Sequence, residues 1–296
     1  MQRKSQVNND ITLQARFYYA LRFYLHKKRR LLRLVQLLRA CIILGPLRKL
    51  MVRYYQKFDH NDPLRTNTHP LFPHVDTDQL VNRITELGYA HAGNLPEEYI
   101  TQILDYCETN KQISYWNPHI KCEAVNRICL NAKIVEIARK YLGAEPIIWL
   151  TRLQWSFPPS DNRLDFQPSI YREWTEDEIY AFHYDIIDFK SLTLFTYLTD
   201  IDSNFGAHMV VERTHDHKRL KDLKHRILTD AEVQRKFGDR IKVILGKRGT
   251  AFFEETSSYH KVEACKNRRL ILAIDYVLQR RVPSAKPILV DTEKSG

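Results

Sequence analysis

Glycine is scarce here, with nine in 296 residues. Set beside a hydrophobic content of 44%, that scarcity argues for a folded globule with a sizeable core and against a disordered chain. Cysteine is also thin. Cys41, Cys107, Cys122, Cys129 and Cys265 are odd in number, with no C-x-x-C pair and no regular spacing. That suits buried or surface thiols in a reducing compartment better than a disulfide framework or a zinc clip. Long apolar runs are missing: near the start the longest is Ala40 to Leu47, eight residues between Arg39 and Arg48. A membrane-spanning helix needs about 20. The polar start, with charges continuing to Arg39, gives no sign of a secretory signal. The reading is therefore a cytoplasmic protein, peripheral to a membrane at most.

Acid is absent from one region. Residues 1–57 hold fourteen Lys or Arg against the single acid Asp10, a net +13, so the rest of the +11 chain sums to −2. The basicity belongs to an N-terminal segment, which makes nucleic acid an improbable partner for the main domain. Residues 11–40 read as a basic amphipathic helix: Leu13, Phe17, Leu21, Tyr24, Leu31, Val35 and Leu38 recur mostly at spacings of three and four. Gly45-Pro46 breaks it before a short second helix at 47–57. Three readings stand: a helical hairpin on the wall of the main domain with solvated charges, attachment of residues 11–57 to an acidic membrane surface or acidic partner, or, as the weakest, a mitochondrial targeting segment, Arg-rich and acid-poor but with Ser5 as its only serine.

The polar, proline-bearing stretch His60 to Pro73 reads as a linker between a basic helical segment, 1–60, and a main domain, 61–296. Helices are expected at 77–87, 97–107 and 132–142, with a short strand at 89–92. From Pro146 the texture becomes β-branched and aromatic. Short strands are expected at 180–186, 189–199, 207–212, 240–245, 250–254, 257–264 and 268–278, interrupted by a charged helical insert at 217–237. Helices first and many short strands after indicate a mainly β jelly roll with a helical cover.

The chemistry concentrates in Phe182-His183-Tyr184-Asp185. Side chains two apart on a strand share a face, so His183 and Asp185 project side by side. His260, behind the glycine turn and apolar strand Gly249 to Phe253, is the third candidate. Two histidines and one carboxylate on one side of a metal leave the opposite positions open, as in non-haem Fe(II) oxygenases. Arg268 and Arg269 follow. A two-residue hairpin turn after His260 puts Arg269 on the same face, whereas a three-residue loop chooses Arg268. With Arg269 inward, Leu270, Leu272 and Ile274 form an outer stripe for helices to cover. A planar guanidinium matches a carboxylate bidentately; the plainer reading is a salt bridge to Asp275 or Glu263. Arg152, Gln154 and Trp155 are on a strand expected to line the pocket, with Gln154 as the substrate-contact candidate. Residues 160–179, with Tyr171 and Trp174, are long enough to form a lid. His215-Asp216-His217 has ligand-like spacing but reads as structural.

In order, His183-x-Asp185, Leu198-Thr199-Asp200-Ile201, Asn204-x-Gly206, Val210 to His215, Gly249 to Phe253, His260 and Arg268-Arg269 resemble the phytanoyl-CoA dioxygenase family. So does the opening helix-strand-helix of residues 84–104. The likeness covers roughly residues 77–278. It implies a cupin-like double-stranded β-helix, Fe(II) held by His183, Asp185 and His260, and 2-oxoglutarate as cosubstrate on Arg269, with Thr196 as a weaker contact. With Asp185 present, hydroxylation is favoured over halogenation, on a small-molecule, lipid-linked or carrier-bound substrate. A zinc hydrolase on the same ligands, or a metal-binding protein without turnover, are the alternatives.

Overall fold

The computed structural model describes residues 29–58, 61–158, 180–202, 206–216, 218 and 220–278. Two compact units divide the chain, 1–38 with 280–296 and 39–279. Helix α1 (Arg29–Ile43) crosses that boundary, and α2 (Arg48–Phe58) belongs to the larger unit. The larger unit begins at Arg39 and so takes in α2. The physical reason is one face of α2. Arg48 is buried, Tyr55 stacks on Phe189 with ring centroids 5.6 Å apart, and Gln56 Nε2 donates to the Leu142 carbonyl at 2.6 Å.

The helical cover forms where capping and periodicity agree. Helix α3 (Thr77–Leu87) starts at Asp76, whose carboxylate accepts from Asp78 N and Gln79 N, and stops at Gly88 with φ 91°. After β1 (Tyr89–Asn94) come α4 (Glu97–Asn110), β2 (Ser114–Trp116), α5 (Glu123–Cys129) and α6 (Ala132–Leu142). Asn131 caps α6 by accepting from Lys133 N and Ile134 N, and its amide donates to the His69 carbonyl at 2.7 Å. Beyond β3 (Ile147–Ser156) the fold is β-rich: β4 (Phe182–His183), β5 (Ser191–Tyr197) and β6 (His208–Val211). The insert contains α7 (Leu220–Leu223), β7 (Ile227–Leu228) and α8 (Asp230–Phe237). β8 (Ile241–Ile244), β9 (Thr250–Glu254), β10 (His260–Val262) and β11 (Arg269–Val277) complete it.

The strands form two antiparallel sheets, one ordered β1-β9-β5-β11-β3-β2 and one ordered β7-β4-β10-β6-β8. This is a double-stranded β-helix. Alternation divides the larger sheet into two environments. On its outer face Leu194, Phe253, Leu270, Leu272, Ile274 and Tyr276 join one core with Ile84, Ile100, Ile103, Val135 and Ala138 of the helices. On its inner face Phe195, Tyr197, Phe252 and Ala273 meet Val210 and Ile244 of the smaller sheet.

The hairpin expected between His260 and the arginines does not form. β10 pairs with β4 and β6, while β11 pairs with β3 and β5. The intervening residues cross from one sheet to the other, so turn length does not set the register of Arg269. Its neighbours on β3 and β5 set it.

Candidate metal centre

His183 and His260 face each other directly in the β4–β10 pairing, their ring centroids 4.5 Å apart. Asp185 lies just past the end of β4, where its backbone N–H donates to the Thr256 carbonyl at 2.8 Å. That bond keeps the backbone extended, so the carboxylate stays on the side of His183. Asp185 Oδ2 is 3.7 Å from His260 Nε2. Candidate ligand atoms of all three residues lie within 4.8 Å of one another, the one such His/Cys/Asp/Glu group among the described residues.

Both imidazoles are oriented by backbone. His183 Nδ1 donates to the Ala181 carbonyl and His260 Nδ1 to the Ser258 carbonyl, each at 3.0 Å. With the proton on Nδ1, each Nε2 carries a lone pair, the tautomer a metal requires. Burial, reinforced by the neighbouring His260, pushes His183 down to about 3, so it is a neutral donor at physiological pH. Burial alone would raise Asp185, but His260, His183, Arg226 and Arg152 outweigh it and hold the carboxyl below its ordinary value. Two neutral nitrogens and one carboxylate suit a divalent transition metal.

Around these ligands the interior carries more charge than the sequence discloses. Arg226 Nη2 is 3.9 Å from Asp185 Oδ1, and its Nε donates to the Tyr184 carbonyl at 3.0 Å. His208, on β6, stacks on His260 with centroids 5.6 Å apart, and its Nε2 is 2.6 Å from Glu254 Oε2. Glu254 Oε1 is in turn 3.5 Å from His260 Nδ1. Burial drives His208 down to about 3 and Glu254 up to about 7, so this contact is nearer a neutral hydrogen bond than an ion pair. Asp275, also inside, is raised to about 6 by burial, against the Thr193 hydroxyl that donates to it at 2.7 Å. Sequence reasoning missed Arg226, His208 and Glu254. The available signal for Glu254 was parity with Phe252 along β9.

The other candidates separate cleanly. Arg269 is buried on the inner face. Its Nη1 donates to the Gly206 carbonyl and its Nη2 to Ser156 Oγ at 3.0 Å. It shares the interior electrostatically with Asp185, since both act on His208. Arg268 is exposed, over the Trp155 ring at 5.4 Å, beside a separate surface cavity of about 640 Å³. Gln154 and Arg152 pair with the inward residues Ile271 and Ala273 of β11 and so face inward, whereas Trp155 faces out. Gln154 Oε1 accepts from Ser114 Oγ at 2.5 Å, which fixes the side chain on the inner face. Thr196 must be corrected. It pairs with Leu272 and Ala251, both in the helix-covered core, and so belongs to the outer face, opposite the inward residues of β5. Thr193, of opposite parity, is the inward threonine. Tyr171 and Trp174 fall outside the described residues. His215 is structural, its Nε2 donating to the Thr85 carbonyl at 3.1 Å.

Arg48 of α2 supports the loop that carries this geometry. Its Nε donates to the Phe189 carbonyl at 2.6 Å, its Nη1 to the His215 carbonyl, and its Nη2 to Glu255, which also accepts from Tyr141. Residues 255–258 supply the carbonyls that hold Asp185 N and His260 Nδ1.

Among solved structures, the apo form of the non-heme monooxygenase ThoJ matches at a TM-score of 0.50, with 17% identity over 70% of this chain and 80% of that one. The shared architecture is the double-stranded β-helix. EctD from S. alaskensis with 2-oxoglutarate and 5-hydroxyectoine gives 0.49 and 16% identity over 73% of this chain and 81% of that one. AviO1 from Streptomyces viridochromogenes gives 0.48 and 14% over 68% and 95%. No sequence-family model matches the chain, and no curated protein is recognisably similar to it.

Proposed function

We propose that the protein is an Fe(II)- and 2-oxoglutarate-dependent oxygenase of the phytanoyl-CoA dioxygenase type, hydroxylating a small-molecule or acyl-type substrate. The observation that carries this reading is the set His183, Asp185 and His260, whose candidate ligand atoms lie within 4.8 Å of one another, with both imidazole Nδ1 atoms committed to backbone carbonyls and His260 Nε2 3.7 Å from Asp185 Oδ2. These residues fit a ferrous ion by donor type and by tautomer. The same fold in ThoJ, a non-heme monooxygenase, is consistent with that chemistry.

His183, Asp185 and His260 would hold the metal on one side, leaving the opposite side for cosubstrate and oxygen. When bound, iron and 2-oxoglutarate would supply the chemistry that divides dioxygen between two acceptors, one oxygen atom oxidising 2-oxoglutarate to succinate and carbon dioxide and the other hydroxylating an unactivated C–H bond. Arg269 would receive the distal carboxylate of 2-oxoglutarate through its planar guanidinium. Gln154, on the inner face of β3, is offered to the substrate. The apolar side chains Phe195, Phe252 and Ala273 exclude bulk water behind the ligands. The helix-covered position of Thr196 removes it from the cosubstrate contacts.

Purified protein given Fe(II) and 2-oxoglutarate should form succinate, and under anaerobic conditions should show a weak visible charge-transfer band. Both signals should vanish in His183→Ala and Asp185→Ala. Undiminished turnover in both variants would falsify the assignment. Oxygen-independent hydrolysis with zinc would redirect it to a hydrolase.

A further inference from the structure

Helix α2 has two sides that carry apolar side chains, and among the described residues only one of them is packed. Arg48, Val52, Tyr55 and Gln56 turn toward the main unit, where Arg48, Tyr55 and Gln56 make the contacts described above and Val52 packs on the helix-covered core. Opposite them, Leu47, Leu50, Tyr54 and Phe58 recur at three- and four-residue spacings and are 62%, 63%, 52% and 58% exposed. The rings of Tyr54 and Phe58 pack on each other at 5.1 Å. Near the end of α1, Ile42 is 60% exposed as well. Scattered exposed leucines are ordinary, but a continuous stripe along a helix already docked by its other side is not.

The charge beside the stripe selects its occupant. Arg53 and Lys57 are exposed along one edge of it, and Lys57 lies over the Phe58 ring at 5.2 Å. Lys49, on the same flank, is 3.4 Å from Asp216 and contributes less. Residues 1–57 as a whole carry +13. An apolar stripe edged by cations, with aromatic residues among its apolar members, is the pattern of a helix lying in the interface of a membrane rich in anionic lipid. No helix among the described residues is long and apolar enough to cross one. We infer that Leu47, just before α2, and Leu50, Tyr54 and Phe58 of α2, flanked by Arg53 and Lys57, form a docking surface for an anionic membrane. The inference is independent of the oxygenase reading, because it concerns a different face and a different readout.

The full chain should co-sediment with mixed phosphatidylglycerol–phosphatidylcholine vesicles and about tenfold less with pure phosphatidylcholine. The triple variant Leu50→Asp, Tyr54→Asp and Phe58→Asp, altered only at exposed positions, should bind the mixed vesicles at least about tenfold more weakly while keeping its circular dichroism spectrum. The double variant Arg53→Glu and Lys57→Glu should lose the preference for phosphatidylglycerol. Binding of the triple variant at the wild-type level would overturn the inference, since the basic residues before α2 would then suffice. So would a wild-type dimer that ignores vesicles and becomes monomeric in the triple variant, because a second copy would then cover the stripe.

Discussion

The two faces of β11 are nine residues of one strand put to opposite uses. Leu270, Leu272, Ile274 and Tyr276 pack under helices in a dry core. Arg269, Ile271, Ala273 and Asp275 alternate with them on the inner face of the sheet. The outer set is what hydrophobic burial alone would select. The inner set places an arginine and a carboxyl where desolvation opposes both. Neighbouring strands repeat the contrast: Leu194 and Phe253 face out, and Thr193 and Glu254 face in. The lesson is a division of labour by parity. Odd residues of β11 build a site, and even residues supply the stability that such a site consumes.

The contrast breaks first at its outer side. Leu272 is fully buried, so Leu272→Ala should lower unfolding free energy by about 2–5 kcal/mol. Iron affinity at temperatures where the variant is folded should be unchanged. A chemical denaturation series with a metal titration checks both. Weakened iron binding in the folded variant would mean that the faces are not separable.

The inner side responds differently. Arg269→Gln keeps a hydrogen-bonding head for Ser156 but removes the charge. It should raise the 2-oxoglutarate concentration needed for half-maximal succinate formation by roughly a hundredfold, the order expected when one member of a buried charge pair is lost. Iron affinity should stay put. The neighbouring Arg268→Gln, on the exposed side, should change neither. A hundredfold effect at residue 268 instead would transfer the role.

How much of this was legible beforehand depended on which kind of pattern carried it. Helices α3 and α6 were readable to the residue because Asp76, Gly88, Asn131 and Gly143 punctuate them by local chemistry. The pair His183 and Asp185 was readable from period-two spacing, although β4 is only two residues long. Arg269 was placed inward for the wrong reason. The hairpin that motivated it does not exist, and cross-strand partners in a different sheet fix its face. Thr196 failed for lack of the same information, since parity along β5 is invisible until one member is anchored. Arg226 lay in a stretch read as helix, but it immediately precedes β7, a strand too short to show periodicity. Arg48 was hidden among the other basic residues of its segment, where composition does not distinguish a docked arginine from a solvated one.

The smallest effect tests whether buried imidazoles outside the site behave like those within it. His215 is buried beside Glu255 and Arg48. Burial, the larger cause, and the Arg48 charge lower its pKa, against the opposing pull of Glu255 and the Thr85 carbonyl. The folded protein therefore keeps His215 neutral where the unfolded chain would protonate it, near the ordinary value of 6.5. Its contribution is complete above that value and is lost as pH falls from there toward the folded pKa. His183 and His208, both held down to about 3, act in the same direction inside the site. His215→Gln, whose amide can still donate to the Thr85 carbonyl, should flatten the acid limb of stability as pH falls below the ordinary histidine value by up to about 1.4 kcal/mol per pH unit, the share of one proton. Saturating metal should leave this flattening intact, because His215 is not among the ligands. An acid limb identical to wild type would mean that the imidazoles near the metal carry the whole of it.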